Sequence, residues 1–182
     1  MPTQPTSADK LGYDYYAAIE PDRSRHEIVD GEHYVNPAPS TYHQTVSRRI
    51  QFQLYTAVEL SERGVVYNAP VDLQLTPHDI VQPDLVVILN AHQNIITPTK
   101  IKGVPDLVVE ILSPSSFEHD TVRKRKMYER CGVPEYWIVD PSEHTLEQCA
   151  LDGELRYFSE IVGNEVTFRG SPDVRVDLTK VW

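Results

Sequence analysis

The sequence predicts an α/β protein in which a mixed sheet is flanked by two principal helices, and three observations carry that prediction. Short apolar runs of strand length recur along the chain: "VVYNAP", "VDLQL", "DLVVIL" after Pro83 and "DLVVEIL" after Pro105. Two longer segments, 41–63 and 117–131, instead place related residues at helical spacing. No linker divides the 182 residues, a length that suits a single domain over 9–182 behind a polar, disordered tail, "MPTQPTSA", over 1–8.

Taken in order, residues 9–19, "DKLGYDYYAAI", form a short amphipathic helix. Residues 26–36, "HEIVDGEHYVN", alternate in polarity around Asp30-Gly31, a pair favoured in two-residue turns, and so form a hairpin. "NPAPS" breaks the chain, and Ser40 or Thr41 caps a helix running to about Arg63. Its buried stripe is Val46, Ile50, Leu54, Ala57 and Val58, and Gly64 stops it. After the central strands, a second helix over 117–131 stops at Gly132. Strand-like runs "EYWIVD", "TLEQCAL", "LRYFSE" and "VTFR" follow, separated by Asp-Gly and Gly-Asn turns. In the first of these Trp137 and Val139 take one face, and Tyr136, Ile138 and Asp140 the other.

Composition excludes several classes of function. Two cysteines, Cys131 and Cys149, are too few for a disulfide framework and lack zinc spacing, which fits free thiols in a cytoplasmic protein. No window is apolar enough to span a membrane, and the N-terminus has no export signal. A net charge of -10 disfavours a generic DNA binder, because such binding rests on cations neutralising phosphates. Charge acts locally, however, and residues 122–130 hold five of the 17 basic residues against one acid, Glu129. Neither a Gly-x-Ser-x-Gly elbow nor a glycine-rich phosphate loop occurs. His26, His33 and His119 show no ligand spacing, and His43-Gln44, at a helix start from which it could touch the site, reads more simply as solvated polar residues.

The chemistry concentrates in a repeated phrase. "PDLVV" occurs at 83–87 and again at 105–109, but the first copy continues with Ile88 and the second with Glu110. Antiparallel pairing of the two runs sets Asp84 opposite Glu110 and leaves Asp106 about 13 Å away, at the other end of the strand. A carboxylate inside an apolar strand needs a partner or a metal, and two converging carboxylates suit Mg²⁺ or Mn²⁺. Asp120, Lys124 and Tyr128, four residues apart, share a helical face that starts near Glu110, so Lys124 can reach the pair. Lys126 points about 200° away. Singly, Asp84 reads as a Pro-Asp turn and Lys124 as part of a solvated "RKRK" face.

Together "QPDLVVIL", "GVPDLVVEILSPSS", Asp120 with Lys124 and Tyr128, and "GVPEYWIVDP" resemble the putative-restriction-endonuclease family of the PD-(D/E)xK nuclease superfamily. "HEIVDGEHYV" and "PSTYHQTV" resemble that family's opening, so the likeness runs over about 15–182. The resemblance implies a restriction-endonuclease-like fold, a divalent metal and phosphodiester hydrolysis. It assigns Asp84 and Glu110 to metal binding and Lys124 to catalysis, with Glu32 or Glu27 as a further acid. The superfamily pattern sets the lysine two residues after the strand glutamate, where this chain has Leu112; in this family the lysine stands on the following helix. The expected protein is a Mg²⁺-dependent endonuclease on duplex DNA, and a homodimer, since cutting both strands favours two sites about a two-fold axis. Its rival is a non-catalytic nucleic-acid- or protein-binding module on the same fold, favoured by the acidic charge.

Overall fold

Residues 10–20, 22, 24–114 and 116–182 are described by the computed structural model; the tail expected over 1–8 lies outside them. The first helix, α1 (Tyr13–Ala17), is shorter than expected and buries none of its residues. Strands β1 (Arg25–Val29) and β2 (Glu32–Asn36) form the expected hairpin. Asp30 and Gly31 both take positive φ, 53° and 79°, as a tight primed turn requires.

Ser40 caps α2 (Thr41–Leu54) by accepting a hydrogen bond from the His43 amide, and the helix continues as a wider turn over Tyr55–Glu59. The chain turns out of it at Glu62, whose φ is 55°. The stop expected at Gly64 is therefore misplaced: Gly64 opens β3 (Gly64–Asn68), where any Cβ would strike the Ile88 carbonyl across the ladder. Next come β4 (Leu73–Thr76), β5 (Asp79–Val81), β6 (Leu85–Leu89), β7 (Ile101–Lys102) and β8 (Leu107–Ile111). A wide π-type turn, His119–Lys124, leads into α3 (Arg125–Arg130), which ends at Gly132 with φ 77°. The chain closes with β9 (Glu135–Asp140), β10 (Thr145–Leu151), β11 (Tyr157–Val162), β12 (Glu165–Thr167) and β13 (Arg175–Asp177). The strands the sequence did not announce, β5, β7 and β13, are two or three residues long, too short for a periodicity to show.

A mixed six-stranded sheet, ordered β11-β10-β9-β8-β6-β3, is the centre of this α/β fold. Within this sheet β8 and β9 are the parallel neighbours among the described residues, and α3 lies on the crossover between them. A five-stranded sheet, β2-β1-β5-β4-β7, is separate, as is the β12–β13 pair. Alternation along the central strands sorts the core into two clusters. Leu85, Val87, Val109, Ile111, Trp137 and Val139 pack with Val46, Ile50 and Leu54 of α2. Val86, Ile88, Val108, Tyr136 and Ile138 pack with Met127 and Tyr128 of α3 and with Val29, Leu73 and Val81 of the smaller sheet. Glu110, two residues after Val108, therefore points into the second cluster, toward α3 and the smaller sheet.

Candidate active site

The partners Leu85↔Val109, Val86↔Val108 and Val87↔Leu107 make β6 and β8 antiparallel, in the register that sets Asp84 against Glu110. Asp84 Oδ2 accepts the Ile111 amide at 2.8 Å. Asp106 lies at the far end, where it accepts from the Leu89 amide and pairs with His92.

Lys124 is fully buried beneath these carboxylates. Its Nζ lies 2.9 Å from Glu110 Oε1, 2.8 Å from Glu27 Oε1 and 3.4 Å from Asp120 Oδ1. Tyr128 donates its hydroxyl to the same Glu110 oxygen at 2.9 Å. Asp120, Lys124 and Tyr128 thus gather around Glu110. The wide turn adds a residue to this group: bonding five residues apart aligns His119 with Lys124, and His119 Nε2 reaches Glu27 Oε2 at 3.2 Å.

Of the two acids left open on the hairpin, Glu27 stands with Lys124. It is fully buried and also accepts from Asn36 Nδ2 at 2.7 Å and the Gln82 amide at 2.9 Å. Glu32, the other candidate, is exposed and accepts from the Tyr34 hydroxyl instead of meeting Lys124. A stability difference follows. Glu27→Ala leaves Lys124, His119 and Asn36 short of an acceptor and is expected to cost about 3–5 kcal/mol, whereas Glu32→Ala stays within about 0.5 kcal/mol. Urea denaturation of both variants checks this, and equal midpoints would remove Glu27 from the cluster.

Arg25 goes unrecognised in the sequence, and His43 stands second there to a solvated reading. Arg25 Nη1 reaches Asp84 Oδ1 at 3.1 Å, and His43 Nε2 reaches Asp84 Oδ2 at 3.1 Å. His43 is buried, contrary to its reading as a solvated residue. The signal was present: His43 precedes Val46 by three and extends the buried stripe of α2 by one turn. Arg25 likewise shares the Glu27 face of β1 by strand alternation.

Among the described residues, the four carboxylates of Glu27, Asp84, Glu110 and Asp120 face two obligate cations, Lys124 and Arg25. Burial disfavours ionised Glu27, but Lys124, His119 and Arg25 outweigh it and hold the carboxyl well below its usual range. At Asp84 burial is likewise outweighed, by His43, Arg25 and the Ile111 amide. At Glu110 burial dominates: Lys124 offsets part of it, Asp120, Asp84 and Glu27 add repulsion, and the carboxyl is pushed up to about 8. Burial also disfavours the Lys124 ammonium, yet Glu110, Glu27 and Asp120 together keep it charged. Glu110 Oε2 is buried with no hydrogen-bond partner.

Carboxylate oxygens, one of them on Glu110 without a partner, are the donor type that a hard divalent cation takes. Among the described residues no group of three or more His, Cys, Asp or Glu side chains is arranged to hold a metal.

The family described as "putative restriction endonuclease", Uma2, matches residues 13–179. The chain belongs to that family. Its structure resembles a crystal structure described as "a putative nuclease belonging to DUF820" from Anabaena variabilis ATCC 29413, with a TM-score of 0.76 and 14% identity. The match covers 94% of this chain and 97% of that one, and at such identity it establishes the restriction-endonuclease-like fold. No curated protein matches. Leu112, two residues after Glu110, is apolar and buried, and the buried lysine beside Glu110 comes instead from the helical segment after β8. Among the described residues no helix is long and apolar enough to cross a membrane.

Proposed function

We propose that this protein is a metal-dependent phosphodiester hydrolase, a DNA endonuclease, in which Asp84 and Glu110 hold Mg²⁺ or Mn²⁺ and Lys124 is catalytic. The observation that carries the reading is the contact of a buried lysine, Lys124, with a strand carboxylate, Glu110, opposite Asp84 in the ladder. When bound, the metal supplies positive charge that polarises a phosphodiester and acidifies water. Lys124, preorganised by Glu27 and Asp120, places a fixed cation beside Glu110, where negative charge develops on the phosphorus oxygens. Tyr128 and Glu27 orient Glu110 and Lys124 respectively. A homodimer about a two-fold axis would bring one such site to each strand of a duplex.

A second reading, a binding module without catalysis, has its own observation: both oxygens of Asp84 already carry protein partners. Metal uptake separates the two. Calorimetric titration with Mn²⁺ should show binding to the wild-type chain and at least about tenfold weaker binding to Asp84→Asn, a loss of about 1.4 kcal/mol. Mn²⁺-dependent nicking of supercoiled plasmid should disappear in parallel. Uptake that is identical in the two proteins, with no nicking in either, would leave the binding module.

A further inference from the structure

The two oxygens of Asp84 have different surroundings. Oδ2 is fixed from the interior by the Ile111 amide at 2.8 Å and His43 Nε2 at 3.1 Å. Oδ1 meets the Arg25 guanidinium, at 3.1 Å. Arg25 is also the member of the cluster that reaches solvent: its side chain is 22% exposed, against 5% for Asp84 and 0% for Lys124 and Glu27. Of these side chains the guanidinium is therefore the one in contact with water. Its grip is one-ended, a single bond through Nη1, while its Nε is buried without a partner. A bidentate fork would hold much harder.

We infer that Arg25 is a displaceable counter-ion, capping Asp84 Oδ1 in the metal-free chain and, once released, holding a phosphate oxygen of the DNA at the mouth of the site. The inference rests on the reading of Asp84 and Glu110 as the metal seat. A divalent cation at Asp84 competes with the guanidinium for Oδ1 and repels it at short range. Of the partners of Asp84, Arg25 is the one free to leave, because the Ile111 amide belongs to a strand and His43 is packed into the core stripe. The released fork has the planar donor geometry that matches phosphate, and it stands on the solvent side, where a phosphodiester enters. Arg25 therefore weakens metal binding in proportion to its occupancy of Oδ1, and couples metal binding to DNA binding.

The test uses wild type, Arg25→Gln, Arg25→Lys and Asp84→Asn, each checked for folding by circular dichroism. Mn²⁺ affinity is measured by calorimetry without DNA, and affinity for a duplex is measured in EDTA and in Ca²⁺, another oxygen-seeking cation. Arg25→Gln is expected to bind Mn²⁺ about tenfold more tightly than wild type, because the competitor is gone. Ca²⁺ is expected to strengthen duplex binding by wild type at least about tenfold, and by Arg25→Gln or Arg25→Lys no more than about twofold. If Mn²⁺ uptake is the same in wild type and Asp84→Asn, the metal seat itself is wrong. If uptake depends on Asp84 but Arg25→Gln binds Mn²⁺ no more tightly, or gains as much from Ca²⁺ as wild type, only the role of Arg25 falls. Should Arg25→Gln not fold, Arg25→Lys decides: a Ca²⁺-linked gain equal to that of wild type overturns the assignment.

Discussion

Lys124→Met is expected to lower metal-dependent DNA cleavage at least about a hundredfold while leaving duplex affinity within about twofold, the range seen when one preorganised charge-stabilising group is lost. Lys126→Ala is expected to do the reverse, weakening duplex binding at low salt and sparing the rate in saturating DNA. The two side chains carry the same charge, two residues apart, and their surroundings alone separate them. Lys124 is fully buried among Glu27, Glu110 and Asp120. Lys126 is exposed, in a cleft it lines with Tyr34, Arg123 and Arg130. Methionine keeps most of the volume of the lysine, so the first substitution tests charge more than packing.

The same substitution has a second signature. Without Lys124, three buried carboxylates lose their common cation, at a cost of about 3–5 kcal/mol near pH 8. Their folded-state affinity for protons then rises above that of the unfolded chain, so the cost shrinks as the pH falls and the carboxyls protonate. Cleavage and stability can be separated by assaying near pH 6.5, with folding followed by circular dichroism. Equal cleavage losses from Lys124→Met and Lys126→Ala would show that the carboxylates do not depend on the buried lysine.

Which parts of this site were legible follows from how local their causes are. The pairing of Asp84 with Glu110 needs only two neighbouring strands and the repeated "PDLVV", so the antiparallel register could be drawn from the sequence. The Asp120, Lys124 and Tyr128 face needs only helical spacing. His119 is different: a regular helix would set it about 140° from Lys124, and the wide turn that aligns them has no sequence periodicity of its own. Glu27 and Glu32 show a subtler limit. Glu32 pairs with Val29 and so projects on the face that Glu27 uses; alternation cannot choose between them. Depth along the hairpin decides, because Glu32 sits at the exposed turn and Glu27 lies two residues further in. Arg25 and His43 reach Asp84 from elements more than 40 residues away in the chain, through a packing of β1 and α2 that no local pattern contains.

Glu110→Gln is expected to stabilise the metal-free protein by several kcal/mol at pH 9 while removing metal binding. The direction follows from the proton balance. The Glu110 carboxyl is pushed up from 4.5 to about 8 by burial, with Asp120, Asp84 and Glu27 adding to it beyond what Lys124 offsets. A group raised in the folded state contributes stability fully below its unfolded value and loses it as the pH rises through the folded one. In wild type, then, stability drains away as the pH rises from about 4.5 toward about 8. Glutamine is neutral throughout and keeps an oxygen for Tyr128 and Lys124, so it has no such loss. Lys124 retains Glu27 and Asp120 as counter-ions. Asp84 and Glu27 work the other way: both are held low, so their contributions are present above the usual carboxylate range and are lost on acidification in either protein. Urea midpoints in EDTA at pH 5, 7 and 9 should therefore nearly coincide for the two proteins at the lowest pH and diverge steadily above it, with the variant higher. If Glu110→Gln is instead less stable than wild type at pH 9, Glu110 is an ionised and satisfied partner of Lys124. The repulsion that raises its carboxyl would then be offset within the protein, and the cluster would not call for a metal to relieve it.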